Sequence, residues 1–257
     1  MKEALKSFDE LLQIMDELRI KCPWDKKQTF ESLRNLTTEE VYELTEAIYE
    51  KDMNAIKKEL GDILLHIVFY AKLGQEANAF TIKDVIDSLN QKLVYRHPHV
   101  FGKVEVQNAT EVEENWEQLK LTEKDGNKSV LSGIPKTLPA CVKAYRIQDK
   151  VRGVGFDWDE KEQVWDKVDE ELKELKHEIA KNDQDKIEAE FGDLLFAVIN
   201  AARLHGVHPE DALERTNRKF IKRFSYLEDN TMKKGMDLKK MTVEEMDVFW
   251  NKAKELE

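Results

Sequence analysis

The 257-residue chain has few residues that crosslink, kink or anchor a protein. Its two cysteines, Cys22 and Cys141, form no C-x-x-C. That excludes a disulfide scaffold and a thiolate zinc site, and suits a reducing cytosol. The five prolines (23, 98, 135, 139, 209) all fall between helical patterns. No apolar run reaches the roughly 18 residues of a membrane helix. The opening Met1-Lys2-Glu3-Ala4-Leu5-Lys6 lacks the apolar stretch of a signal peptide, so a cytoplasmic protein without a membrane partner is expected. No segment alternates with period two and no Asn-Gly joins β-branched runs, which leaves an all-α fold. Basic charge is also short: 41 basic against 52 acidic residues give −11. This argues against a nucleic-acid partner. It does not exclude a small anionic ligand held by a few basic side chains and metal. No G-x-x-x-x-G-K-[ST] occurs, so a P-loop NTPase is excluded, and no Ser/His/Asp or Cys/His constellation stands out.

What the chain does have is a duplicated acidic pattern. Glu40-Val41-Tyr42-Glu43 is followed by Glu59-Leu60-Gly61-Asp62, and Glu171-Leu172-Lys173-Glu174 by Glu190-Phe191-Gly192-Asp193. Each acid of the first copy reappears 131 residues later. Residues three apart share a helix face, so each copy predicts four carboxylates on two antiparallel helices. Asp52 is expected to cap the second helix of the first copy. The apolar run Ile63 to Ala71, interrupted by His66, must be buried, which sets the acids at the edge of a core. Four such charges without nearby Lys or Arg call for a cation. Glu40 alone could be the capping-box partner of Thr37; Glu171 has no Ser or Thr ahead of it to play that part. Gly61 and Gly192 each lie inside a predicted helix, at a cost of about 1 kcal/mol relative to alanine. Their placement suggests close approach of another helix or a substrate.

The remaining patterns extend the repeat over nearly a whole domain. Helices are predicted at 5–20, 38–51 and 54–74, with Gly74 as a C-cap, and from Thr81 to Arg96; a last one carries Trp116. The second half gives 137–151, 160–181, 184–205 and a helix opened by His208-Pro209. The Trp24-Asp25 loop is echoed by Trp158-Asp159, Asn90–Arg96 by Asn217–Arg223, and Trp116 by Trp250. The polar segment Glu123–Ser129 marks the break. The expected organisation is a first domain at 1–125, a linker at 126–135 and a second domain at 136–257.

Oxygen ligands without thiolate, and with no imidazole common to both copies, favour Mg²⁺, with Mn²⁺ possible, over zinc. Lys219, Lys222 and Arg223 suit a polyphosphate, or equally a solvated helix end. Trp250 could stack on a base or belong to the core. Glu174-Leu175-Lys176-His177 has the E-x-x-H spacing of di-iron bundles, but Glu46 stands at the matching position of the first half. His97-Pro98-His99 is expected to be structural.

E-x-x-E followed by E-x-x-D on helices resembles the MazG-type nucleoside triphosphate pyrophosphohydrolases. The likeness includes Cys22-Pro23-Trp24-Asp25, Arg96-His97-Pro98-His99-Val100-Phe101 and Val154-Gly155-Phe156-Asp157-Trp158. It implies two tandem helical-bundle domains completed by homodimerisation. The implied reaction is Mg²⁺-dependent hydrolysis of an NTP or dNTP to monophosphate and pyrophosphate, in a nucleotide-pool housecleaning role. Glu171, Glu174, Glu190 and Asp193 are the implied catalytic and metal-binding residues. The implied nucleotide contacts are Lys167, Val168, Asp169, Glu170 and Glu171; Lys186, Ile187, Glu188 and Ala189; Asp193; Lys219, Phe220, Ile221, Lys222 and Arg223; and Trp250. Glu40, Glu43, Glu59 and Asp62 match the metal positions in the first domain, with Lys92, Arg96 and Trp116 as further counterparts. His97 stands where the second domain has Phe224. Two other readings stay open: a non-catalytic nucleotide-sensing regulator, and a pyrimidine-selective dUTPase-like or dCTPase-like enzyme.

Overall fold

The computed structural model describes residues 2–108, 111, 112, 115, 116, 119, 120, 129–158 and 161–256. Among these, the regular structure is helical and no strand occurs. The chain divides into two compact units, Met1–Glu105 and Val106–Glu257. The division precedes the polar break read from sequence; residues 121–128, with the start of the expected linker, lie outside the described residues.

The first unit contains α1 (Lys2–Lys21), α2 (Phe30–Tyr49), α3 (Met53–Glu76), α4 (Ile82–Arg96) and the short α5 (Pro98–Phe101). α2 starts eight residues earlier than its apolar pattern suggests. Thr29 caps it by accepting from Ser32 N, and Ser32 Oγ returns the bond to Thr29 N. A reciprocal cap satisfies two of the amides a helix start leaves open. Asp52 caps α3, accepting from the amides of Asn54 and Ala55, as its position in the turn suggests. Thr37 is not a cap. It lies inside α2, donates to Leu33 O, and meets His66 Nδ1 and Tyr70 Oη of α3, each at 2.7 Å. That removes the capping-box explanation for Glu40. Met15, Leu33, Val68, Phe69 and Leu73 form the core that joins α1, α2 and α3. Gly74 is likewise not a C-cap, because α3 runs on to Glu76. A Cβ on Gly74 would come within 2.6 Å of the Phe80 ring, so the residue is there to admit that ring.

The second unit contains α6 (Ala140–Arg152), α7 (Gln163–Lys181), α8 (Gln184–Leu204), α9 (Pro209–Asn230) and α10 (Val243–Glu255). α7 and α8 repeat α2 and α3. Asn182, at φ 59°, turns the chain between them, and Asp183 caps α8 through the Lys186 amide. Pro209 sits in the first turn of α9, where its missing N–H costs nothing. Trp250 lies on α10, and Trp116 among the described helical residues near 111–120. Asp159 of the second Trp-Asp loop lies outside the described residues. No helix among the described residues is long and apolar enough to cross a membrane.

Candidate metal centre

Each helical hairpin gathers its acids. Glu40 and Glu43 of α2 and Glu59 of α3 offer carboxylate oxygens all within 4.8 Å of one another; Glu171 and Glu174 of α7 and Glu190 of α8 do the same. The E-x-x-E spacing puts two acids on one face of the first helix, and the short turn folds the second helix back against them. Asp62 and Asp193 lie outside these tight trios but close enough for their charge to bear on Glu40 and Glu190. Glu59 and Glu171 are buried, at 5% and 6% exposure.

Electrostatically the clusters are under-compensated. Burial pushes the Glu40 carboxyl above its usual range, and Asp62, Glu43 and Glu59 push it further, against Lys58. Burial does the same to Glu190, reinforced by Glu174, Asp193, Glu171 and Glu178. Oε2 of Glu59 and Oε2 of Glu190 are buried without a hydrogen-bond partner. Buried carboxylate oxygens are ordinarily paired or bound to metal. Orphaned, clustered, all-oxygen donors fit a hard divalent cation.

Two lysines overturn the expectation that no cation stands nearby. Lys58 Nζ lies 2.9 Å from Glu59 Oε1, 3.6 Å from Asp62 Oδ2 and 4.0 Å from Glu43 Oε2. Lys167 Nζ lies 2.7 Å from Glu171 Oε1 and 3.1 Å from Glu170 Oε1. In both cases a four-residue helical step carries the ammonium to an acid of the set (58 to 62, 167 to 171). The two are not equivalent. Ala189 occupies the Lys58 position in the second unit, and Leu36 the Lys167 position in the first.

A fifth acid also joins the second cluster. Glu178 of α7 is buried, pairs with Lys181 at 2.7 Å, leaves Oε2 without a partner, and lines one hollow with Glu174 and Glu190. Its counterpart is the buried Ala47. The signal is present in the sequence, since Glu171, Glu174 and Glu178 follow one helix face, but with Ala47 at the matching position Glu178 falls outside the duplicated pattern.

Gly61 and Gly192 behave alike. Nothing lies within 4 Å of a Cβ placed on either. No neighbouring helix closes on them among the described residues, which leaves bare backbone beside each acid cluster.

The other positions expected to contact nucleotide differ in exposure. Val168 and Ile187 are half-buried, while Asp169, Glu170, Lys186, Glu188 and Ala189 are exposed. Lys186 Nζ stands 3.6 Å from Asp183. On α9, Lys219, Phe220, Ile221 and Lys222 face outward, and among the described residues neither lysine pairs with an acid of the quartet. Trp250 has its ring 4.9 Å from that of Phe220, with the Arg223 guanidinium 5.7 Å away. It is half-buried between α10 and α9 and belongs to that packing. In the first unit Lys92 is exposed and Arg96 half-buried. His97 and His99 pair their rings at 5.6 Å, and His97 Nδ1 meets Leu93 O.

Comparison with known proteins matches this arrangement to one family. The profile of the MazG nucleotide pyrophosphohydrolase domain fits residues 28–101 and again 160–227, each span carrying one acidic quartet. The chain is 47% identical over 257 residues to a Thermotoga maritima protein named nucleoside triphosphate pyrophosphohydrolase/pyrophosphatase MazG, covering 99% of this chain and 98% of the relative. It is 41% identical over 260 residues to the Escherichia coli nucleoside triphosphate pyrophosphohydrolase, covering 98% and 99%. It is also 46% identical over 254 residues to the uncharacterized protein YabN of Bacillus subtilis, covering 97% of this chain and 52% of that protein. With the domain matched twice and near-complete relatives on both sides, the chain belongs to the MazG family as a tandem, all-α member.

Proposed function

We propose that the protein hydrolyses nucleoside triphosphates, NTP or dNTP, to the monophosphate and pyrophosphate, with Mg²⁺ (or Mn²⁺) held by the acidic quartets. The observation that carries this reading is the orphaned oxygen of Glu190 inside a cluster of acids that the protein leaves under-compensated. Membership of the MazG family, with near-full-length relatives named for this activity, gives the reaction.

Glu171, Glu174, Glu190 and Asp193 would hold the ion in the second unit, and Glu40, Glu43, Glu59 and Asp62 in the first. When bound, the ion supplies positive charge to the phosphate oxygens and acidifies a water. Lys167, Lys186, Lys219, Lys222 and Arg223 neutralise the polyphosphate tail. Val168, Asp169 and Glu170, with Ile187, Glu188 and Ala189, form the surrounding wall. Phe220, Ile221 and Trp250 offer apolar surface near the basic helix. Water adds to the α-phosphorus, a carboxylate of the set takes its proton, and the bond to the bridging oxygen breaks so that pyrophosphate leaves.

A homodimer is part of the proposal. Leu60, Leu64 and Ile67 form an exposed stripe on α3, and Phe191, Leu195 and Val198 repeat it on α8, also 131 residues on. Apolar stripes at i, i+4, i+7 on the acid-bearing helices suit burial against a second copy. The two-domain division at 1–125, 126–135 and 136–257 and a cytoplasmic, housecleaning role complete the reading.

The test is product identification after incubation with ATP and Mg²⁺. AMP and pyrophosphate are expected; ADP and phosphate would refute the cleavage site, and nucleotide bound without product would favour a sensor.

A further inference from the structure

One turn beyond the second E-x-x-E, α7 carries an acid that the repeat does not account for. Glu178 is buried, at 8% exposure, and its counterpart in the first unit is Ala47. We propose that Glu178, with Glu174 and Glu190, holds a further divalent cation in the second unit, beside the quartet ion, and that the first unit has no such site. The proposal rests on the reading that Glu174 and Glu190 face metal.

The pattern of unpaired oxygens is the first argument. Among the described residues, the buried carboxylate oxygens without a hydrogen-bond partner are Oε2 of Glu59, Glu178 and Glu190. Glu59 and Glu190 hold equivalent places in the two quartets. Glu178 has the same signature and lies outside both. Lys181 Nζ donates to its Oε1 at 2.7 Å and leaves Oε2 unmatched. A buried acceptor left in that state costs about 1–3 kcal/mol.

Position adds a second argument. Glu178 sits in the last turn of α7, which ends at Lys181. A carboxylate is disfavoured there, because the helix ends in free carbonyls and the negative pole of its dipole. Such an end attracts a cation. Glu174 and Glu178, four residues apart, share a face of α7. With Glu190 of α8 they line an open hollow of about 400 Å³, completed by Lys173, His177 and Lys181. The charge of Glu178 reaches Glu190 across it. Three carboxylates with room for water between them suit a hard ion such as Mg²⁺ or Mn²⁺, which keeps part of its hydration shell. The His177 imidazole, with Nε2 4.0 Å from Glu178 Oε1, tilts the choice toward Mn²⁺.

Glu171 separates the two ions. It belongs to the tight trio of the quartet but does not line the hollow. In the first unit the buried methyl of Ala47 offers no ligand at the corresponding place.

Mn²⁺ titration of the full chain, read by calorimetry and by the electron paramagnetic resonance signal of unbound Mn²⁺, counts the ions. Glu178→Gln, which keeps the side-chain shape and an acceptor for Lys181, is expected to bind one Mn²⁺ fewer than wild type. Glu171→Ala should lose the quartet ion and keep the one at Glu178. Lys181→Ala, at an exposed position, removes a competing charge and should tighten the Glu178 ion about tenfold. An unchanged Mn²⁺ count in Glu178→Gln, with helical circular dichroism intact, overturns the proposal. So does a Glu178→Gln chain that loses the same ion as Glu171→Ala, since Glu178 would then serve the quartet itself. A Lys181→Ala chain in which no ion binds more tightly counts against it as well. A wild-type chain that binds no Mn²⁺ ends both this site and the metal reading of the quartet. ATP returned uncleaved, or as ADP, with the expected Mn²⁺ pattern sinks the hydrolysis reading and leaves the cation site supported.

Discussion

The two units share a helical hairpin and an acidic quartet, yet they balance their charge differently. In the first, Lys58 reaches Glu59, Asp62 and Glu43 together. In the second, Lys167 holds Glu171 and Glu170, while Glu178 adds a fifth acid paired with Lys181. The first cluster thus shares one lysine among three of its acids, whereas in the second Lys167 reaches Glu171 alone of the quartet. Beside them, one unit closes its helices over Met15 and Phe69 while the other keeps Gln148 and Asn200 around a cavity. The two copies keep the same four acids, and the surrounding side chains differ.

The largest effect should come from the acids. Glu171→Ala or Glu190→Ala is expected to lower pyrophosphate release from the second unit more than ~100-fold, with the helical circular dichroism kept. Comparing these with Glu40→Ala and Glu59→Ala apportions turnover between the units; full activity in all four variants would discard the ligand assignment.

Moving the lysine should come next. Lys58→Ala is expected to tighten metal binding in the first unit about tenfold, and Ala189→Lys to weaken it in the second by a similar factor. Calorimetry with Mn²⁺ reads both, and no change in either would deny the lysine its part in the contrast.

Gly192→Ala is expected to raise stability by about 0.5–1 kcal/mol, because the helix gains and nothing lies within 4 Å of the new methyl. Catalysis should fall if substrate lies on that bare backbone. A variant both more stable and fully active would show the surface to be unused.

The smallest effect concerns pH. Burial and neighbouring acids raise Glu40 and Glu190 in the folded protein. A raised carboxyl holds its proton more tightly when folded, so metal-free stability should fall as pH rises from the ordinary carboxylate range through the raised values. Glu190→Gln should flatten that fall, and saturating Mg²⁺ should do likewise. A melting temperature insensitive to pH across this window in metal-free wild type would remove the charge argument.

The sequence made the hairpins and acids legible because helical spacing and duplication report them directly. The Asp52 cap and the helix start at Thr81 were visible for the same reason, each using local residues. The early start of α2 was not, because Thr29 and Ser32 cap a first turn whose apolar pattern is weak. Gly74 looked like a terminus because a glycine at a helix end has two uses, and only the Phe80 ring distinguishes them. Lys58 adjoins Glu59 in sequence, but its reach across to Glu43 of α2 depends on how the hairpin closes. The Gln148 cavity depends on α6 meeting α8, 48 residues apart, which no local pattern encodes.

Thr37, His66 and Tyr70 carry one last consequence. Three polar groups must meet in the seam between α2 and α3, and sliding one helix by a turn would strand all three. They act as an indexing pin for the first hairpin. The second has Val168, Ala197 and Ala201 at those places. There the seam is seated without such a pin, by apolar packing at Ala197 and Ala201 and by the Asn182 turn with its Asp183 cap.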